Sequence, residues 1–471
     1  MKMISFLGVI LFLTASALSG QTSAGSPAPP ADPQIAAAIR EVSPQRIQQT
    51  IEKLVSFQSR HTLSSDVPAS SGKGINAAAE WIKSELESYS KDCGGCLEVK
   101  TDEFTQESGN RVPKPTRLTN VYAVLRGNDQ ANASRIVLVS GHYDSRNSET
   151  NDATGASPGA NDDGSGTAVS MECARVLSKQ KFPATIIFLI VAGEEQGLYG
   201  SAHFARMAKA QGWDIEAVLN NDIVGGDKSI GQDPHTVRVF SEGIPLPVAT
   251  ASSGATSTAA SATNSAVREL RGQGRENDSP SRELARYVSF IDSAYLAKSS
   301  FKSLMVFRPD RYLRGGDQTS FAEQGFAAVR LTEYRENYDH QHQNVRTENG
   351  VEYGDLPKFV DYSYVANVAR LNAATLASLA SAPAPPAQVR LQTKALVNDS
   401  TLAWDPAPGG LATGYVVLWR DTGAPQWEHS QSFGNVTQAT LPLSKDNVFF
   451  AVQAIDSKGH RSLPVIPVPE R

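Results

Sequence analysis

Uninterrupted apolar runs alternate along the middle of the chain with stretches in which apolar residues recur every three to four positions. Residues 135–140 (RIVLVS) and 184–191 (ATIIFLIV) show no polar alternation, which predicts strands buried on both faces. Shorter runs of the same kind occupy 217–220 and 326–331. Residues 75–89, 166–179 and about 202–211 have helical spacing, and a long helix is predicted over 355–379. Buried strands interleaved with helices predict an α/β body, with a mostly parallel (mixed) central sheet and helices on both faces.

The pattern changes near the C-terminus. Residues 401–404, 414–420, 437–441 and 448–454 read as short strands separated by turn residues, which predicts a small β-sandwich. A Pro/Ala stretch at 381–387 (SAPAPPA) lies between body and sandwich, and a similar one at 21–33 (QTSAGSPAPPADP) reads as a disordered linker. Ala, Ser and Thr dominate 249–280, which predicts a surface loop or lid. Lys2, the apolar run 4–15 and the small residues that follow it predict a signal peptide over 1–20. That run is too short to span a bilayer, so the expectation is a secreted protein, extracellular or periplasmic, with no transmembrane segment after signal removal.

Composition narrows the function classes. The 471 residues are 40% hydrophobic and 20% charged, as expected of a soluble globular protein. A formal net charge of -5 and the lack of a dense basic run argue against a nucleic-acid partner. Of the three cysteines, Cys93 and Cys96 flank two glycines and are candidates for a small-ring disulfide, whereas Cys173 falls in an apolar helix.

The candidate chemistry lies in where the acids and histidines fall. In an open α/β sheet, ligands bind beyond the carboxyl ends of the strands. Here RIVLVS runs into Gly141-His142-Tyr143-Asp144, ATIIFLIV into Ala192-Gly193-Glu194-Glu195, and 217–220 into Asn221-Asp222. A glycine-bounded loop, GANDDGSG, brings Asp162 and Asp163 to the start of a helix. Each feature alone has an ordinary structural explanation, such as a helix cap or a solvated pair. Acids converging on one edge repel one another unless a cation is present, and histidine with carboxylates and no thiolate suits zinc. There is no HExxH or P-loop string.

The ordered strings HYD, GANDDGSG, AGEEQGLYGS, NND and DHQHQ resemble the co-catalytic zinc exopeptidases, a family that includes secreted bacterial and fungal aminopeptidases and the glutamate carboxypeptidases. The likeness spans roughly residues 50–380 and implies a zinc peptidase domain over 34–380, holding two Zn2+ ions per chain and acting on a peptide substrate. It implies His142, Asp162, Glu195, Asp222 and His342 as metal ligands, with Asp162 bridging the ions. Glu194 would then be the general base, and Asp144 the partner of the second ring nitrogen of His142. His340 is the alternative to His342, and His61 and His203 are read as structural. Asp317 is open between a substrate contact and a turn or cap.

The C-terminal segment, 388–471, is similar to a fibronectin type III domain, with Trp404 at the position of the usual core tryptophan. That likeness implies either surface or polysaccharide contact or a solubilising spacer. The resulting expectation is a secreted aminopeptidase. The alternatives are a carboxypeptidase or dipeptidase of the same family, a glutaminyl-cyclase-like enzyme, and a non-catalytic binding protein.

Overall fold

The structure, a computed structural model, describes residues 31–229, 231–244 and 267–470. The predicted signal peptide, nearly all of the 21–33 linker and the 249–266 part of the predicted loop lie outside them. The central sheet consists of β1 (Leu97–Gln106), β2 (Thr116–Leu125), β3 (Arg135–His142), β4 (Thr185–Val191), β5 (Asp214–Asn221), β6 (Thr236–Phe240), β7 (Lys302–Val306) and β8 (Ala328–Glu333). Their spatial order is β1-β2-β4-β3-β5-β8-β6-β7. The contiguous strands β4, β3, β5 and β8 are parallel, so their carboxyl ends share one edge. Antiparallel pairings of β2 with β1 and β4, and of β6 with β8, make the sheet mixed, as expected.

The uninterrupted apolar runs have a direct physical cause. In β4, Ile186, Phe188 and Ile190 enter one core cluster, while Ile187, Leu189 and Val191 enter the cluster on the opposite face. Because a strand alternates its side chains between faces, both sets must be apolar when both faces are covered. The first face is covered by α1 (Pro33–Arg40), α2 (Pro44–Ser56), α3 (Gly74–Asp92), α4 (Gly164–Leu177), α6 (Pro280–Tyr295) and α8 (Tyr362–Ser381). The other face is covered by α5 (Tyr199–Ala210) and α7 (Asp317–Glu323), through Phe204 and Phe321.

The helix expected over 355–379 begins later, at Tyr362. Pro357 opens a short 3-10 turn ahead of it, and the Asp361 carboxylate caps α8 by accepting from the N–H groups of Ser363 and Tyr364. Asp355 is thereby left in a loop. At the C-terminus, β11 (Ala387–Gln392), β12 (Ser400–Asp405), β15 (Gln438–Leu441) and β17 (Val468–Glu470) form one small sheet. A second comprises β13 (Gly414–Asp421), β14 (His429–Phe433) and β16 (Val448–Ile455), and the two enclose Trp404, Tyr415 and Phe450. The hairpin of β9 (Arg346–Glu348) and β10 (Val351–Tyr353) stands apart from both.

The Pro/Ala stretch between α8 and β11 is packed against the body. Arg135 donates from Nη1 to the Ala382 carbonyl at 2.8 Å and from Nη2 to that of Pro383 at 3.2 Å, and its guanidinium also pairs with Glu216 at 2.7 Å. Cys93 and Cys96 are bonded as a disulfide, and Cys173 is free and buried. Among the described residues no helix is long and apolar enough to cross a membrane.

The β3–α4 junction carries the site and tolerates no extra atom. A β-carbon on Gly141 would sit 2.4 Å from the Gly166 carbonyl carbon and 2.6 Å from the Thr167 nitrogen, both backbone atoms. Gly141→Ala should therefore cost about 1–3 kcal/mol of stability by overpacking, read as a lowered denaturation midpoint with an unchanged denaturant slope.

Candidate metal centre

The carboxyl ends of β3, β4 and β5 deliver their side chains to one place, and the loop before α4 supplies the centre. His142 closes β3, and its N–H donates to Asp163 Oδ2 at 3.0 Å. Asp163 also caps α4, accepting from the Gly166 N–H at 2.8 Å, so this acid is occupied by the backbone. The Asp162–Asp163 peptide is cis. Asp162 turns the other way, with Oδ1 3.3 Å from His142 Nε2 and Oδ2 2.8 Å from His342 Nε2. One carboxylate thus lies between two imidazoles.

The adjacent glutamates are separated by the turn after β4. Gly193 has φ +75, a left-handed conformation that L side chains rarely adopt, and a β-carbon there would meet Leu118 Cδ1 at 2.9 Å. The Asp144 carboxylate then accepts the N–H groups of both Glu194 and Glu195, each at 3.2 Å, and the Thr62 hydroxyl at 2.8 Å. From this turn Glu194 Oε2 reaches to 3.9 Å from His142 Nε2, whereas Glu195 Oε1 lies 3.0 Å from His342 Nε2. Asp222, beyond β5, places Oδ1 3.9 Å from His142 Nε2.

Two clusters able to hold a cation result, His142 with Glu194 and Asp222, and Asp162 with Glu195 and His342. All seven residues singled out as ligands or catalytic groups are therefore drawn together. Asp144 meets His142 Nδ1 first through its main chain, with the carbonyl oxygen at 3.1 Å and the carboxylate Oδ1 at 3.5 Å. The two late histidines part company. His342 joins the cluster, while His340 pairs with Asp227 and stacks on Phe359 at a ring separation of 3.6 Å.

The electrostatics describe a site short of positive charge. Burial raises the Glu194 carboxyl well above its ordinary value, against the pull of His142. Burial opposes charge on His142 too, yet Glu194, Asp144, Asp162 and Asp222 together raise its pKa well above the ordinary value. Asp222 resists burial through Arg330, whose guanidinium lies 3.0 Å away and holds the carboxyl below its usual range. Burial raises Asp317 to about 7, and neither of its oxygens meets hydrogen-bond geometry with a partner among the described residues. The nearby Ser201 hydroxyl is engaged with that of Ser320 at 2.9 Å.

Whether these residues suit zinc is tested by His142 Nε2, which is buried and has no hydrogen-bond partner among the described residues. A buried nitrogen left unpaired amid carboxylates is what a cation would satisfy, and an imidazole–carboxylate set without thiolate fits zinc. The residues present fit the metal.

Several contributors escaped the sequence reading. Arg60 donates to the carbonyls of Tyr143, Pro158 and Gly159 at 2.6, 2.6 and 2.8 Å, which fixes the loop that carries Asp162. Asp355 accepts the Asp162 N–H at 2.7 Å and the Asn161 N–H at 2.8 Å. Arg146 lies 3.0 Å from Glu195 Oε2 and 2.6 Å from His342 Nδ1. Arg330 carried the one available signal, a lone charge inside the apolar run 326–331.

Comparison with known proteins points the same way. Residues 120–233 match peptidase family M28. A probable zinc metalloprotease of Pyrenophora teres f. teres is 44% identical over 447 residues, covering 94% of this chain and 88% of its own. Another, from Pyricularia oryzae, is 42% identical over 445 residues, with 93% and 85% covered. Among solved structures, the LapA aminopeptidase of Legionella pneumophila shares the fold with a TM-score of 0.51 at 22% identity, over 74% of this chain and 75% of that one.

Removing the countercharge to Asp222 should expose how much the site depends on it. Both partners are nearly inaccessible, so Arg330→Gln leaves a buried, unpaired carboxylate and should cost about 3–5 kcal/mol. Chemical denaturation of wild type and variant, both treated with chelator, measures the loss.

Proposed function

Since the chain belongs to peptidase family M28 and is a zinc metallopeptidase, we propose that it is a secreted aminopeptidase working through two zinc ions. The observation that carries the two-metal reading is Asp162, whose two oxygens face two histidines in two adjoining acidic clusters. His142 and Asp222 would hold one ion, Glu195 and His342 the other, and Asp162 would bridge them. Bound zinc supplies Lewis acidity, lowering the pKa of water and drawing charge from a carbonyl oxygen.

Glu194 is the proposed general base. Burial raises its carboxyl well above the ordinary value, which favours uptake of a proton. It would take a proton from the attacking water at Oε2 and deliver it to the leaving amine nitrogen. Asp144 holds the Glu194 and Glu195 N–H groups, so the base stays directed at the His142 side of the site.

The preference for a free amino terminus rests on the balance of committed and uncommitted groups. Arg146 is engaged by Glu195, Arg330 by Asp222 and Asp310, and Arg311 by Asp310 and Glu336. These guanidiniums are spoken for, which disfavours capture of a substrate's C-terminal carboxylate. Asp317 meets no donor at hydrogen-bond geometry among the described residues, and its charge acts on Glu194. A substrate ammonium would complete it.

Secretion is supported by the N-terminal sequence and by the Cys93–Cys96 disulfide. We read 34–380 as the peptidase domain and 388–471 as a fibronectin type III-like module. The two small sheets around Trp404 support that reading, and contact with a surface or polysaccharide is its proposed role.

Glu194→Gln should retain zinc, measured by elemental analysis, while turnover falls by about 10²–10⁴. Wild type should bind nearly two ions and cleave leucine-arylamide but not its N-acetyl form. Cleavage of a blocked dipeptide at its C-terminal residue instead would establish the carboxypeptidase alternative.

A further inference from the structure

Away from the metal centre, a cavity of about 180 Å³ lies between α6 and the C-terminal sheets. Phe290, Leu418, Trp427 and Pro464 give it apolar walls, and Arg286 and Arg461 also line it. Arg286 is 1% exposed. Its Nε donates to the Pro425 carbonyl at 2.9 Å, and its Nη1 pairs with Glu283 and Asp278. Its Nη2 is buried with no partner among the described residues, and the same holds for Nε and Nη1 of Arg461. Arg461 lies over the Phe290 ring, 5.3 Å from its centroid, an arrangement that leaves its in-plane donors free.

Each nearby acid already has cationic or N–H partners, although Asp278 Oδ2 is buried with none among the described residues. Asp278 is shared between Arg286 and Arg420, and Glu283 accepts from Arg286 and from Trp427 Nε1. No ion pair links Arg461 to a carboxylate among the described residues, and the residues outside that set carry no side-chain carboxylate. Burial lowers the Arg461 pKa, opposed by Tyr287 and by no carboxylate. Arg461 is half-buried, and a guanidinium partly desolvated without a countercharge costs the fold some stability.

We propose that this cavity binds a small free carboxylate with a flat apolar body, the carboxylate meeting Arg461 and Arg286 and the body packing between Phe290 and Trp427. Arginine's planar fork matches a carboxylate's two oxygens, and aromatic walls match an aryl group. At roughly 30 Å³ per liquid water the space equals about six waters, which suits a benzoate-sized acid.

Thermal unfolding of the full chain, titrated with benzoate, benzamide and inorganic phosphate, tests the assignment. Benzoate should raise Tm along a saturable curve, while benzamide, its neutral analogue, should not. Arg461→Gln should weaken the benzoate response roughly tenfold or more while raising the ligand-free Tm, because the uncompensated charge is gone. Arg461→Lys, which keeps the charge and loses the fork, should weaken the response with little change in ligand-free Tm, and it stands in should the glutamine variant not fold. Equal responses to benzoate and benzamide, or an undiminished response in the arginine variants, would overturn the proposal. So would a phosphate response as strong as that to benzoate, which would mark the cavity as a general anion pocket.

Discussion

Asp162 faces an imidazole with each carboxylate oxygen, and it keeps that pose because its backbone is held from three sides. Asp355 takes its N–H, Arg60 pins the loop before it, and Asp163 after it is tied to the start of α4 and to the His142 amide. The arrangement brings several carboxylates together away from water, where each charge makes its neighbours harder to ionise. Arg330 compensates on the Asp222 side and Arg146 on the Glu195 side, yet His142 Nε2 meets no partner at hydrogen-bond geometry among the described residues. The protein alone leaves this charge balance incomplete, and a divalent metal would complete it.

The same constraint shapes the fold around the site. Four adjacent parallel strands must end on one edge for residues distant in sequence to converge, and the cores on both sheet faces hold those strands in register. Gly193 performs a second positioning step. Its left-handed turn makes it geometrically reasonable for neighbouring glutamates to serve different partners, since in an extended strand successive side chains would simply point to opposite faces.

Much of this was legible because a buried parallel strand leaves an unmistakable trace. RIVLVS and ATIIFLIV show no polar alternation, so His142, Glu194 and Glu195 stand out at their ends. The choice between His340 and His342 was not legible from residue type, since both lie in one short turn and only the chain's path sends one to Asp162 and the other to Asp227. Arg60 and Asp355 were invisible for a related reason. They bind main-chain atoms far away in sequence, and no local pattern marks an acceptor for a distant N–H. The start of α8 was misplaced because the apolar spacing continues upstream through residues that Pro357 diverts into a 3-10 turn. Strands β11, β14 and β17 are largely exposed, and so they lack the one-sided burial that produces alternation.

Arg135 grips the carbonyls of the Pro/Ala stretch with one side of its guanidinium and Glu216 with the other. A stretch whose composition suggests a flexible tether therefore works as a bracket. Contacts from α6 to the C-terminal sheets, through Glu283 to Trp427 and Tyr287 to the Arg461 carbonyl, add a second fastening at a distance from the first. Two separated attachments oppose rotation as well as separation. Whatever the C-terminal sheets rest against, the metal-bearing edge is then presented at a fixed angle to it, so that orientation, and not proximity alone, is built into the chain.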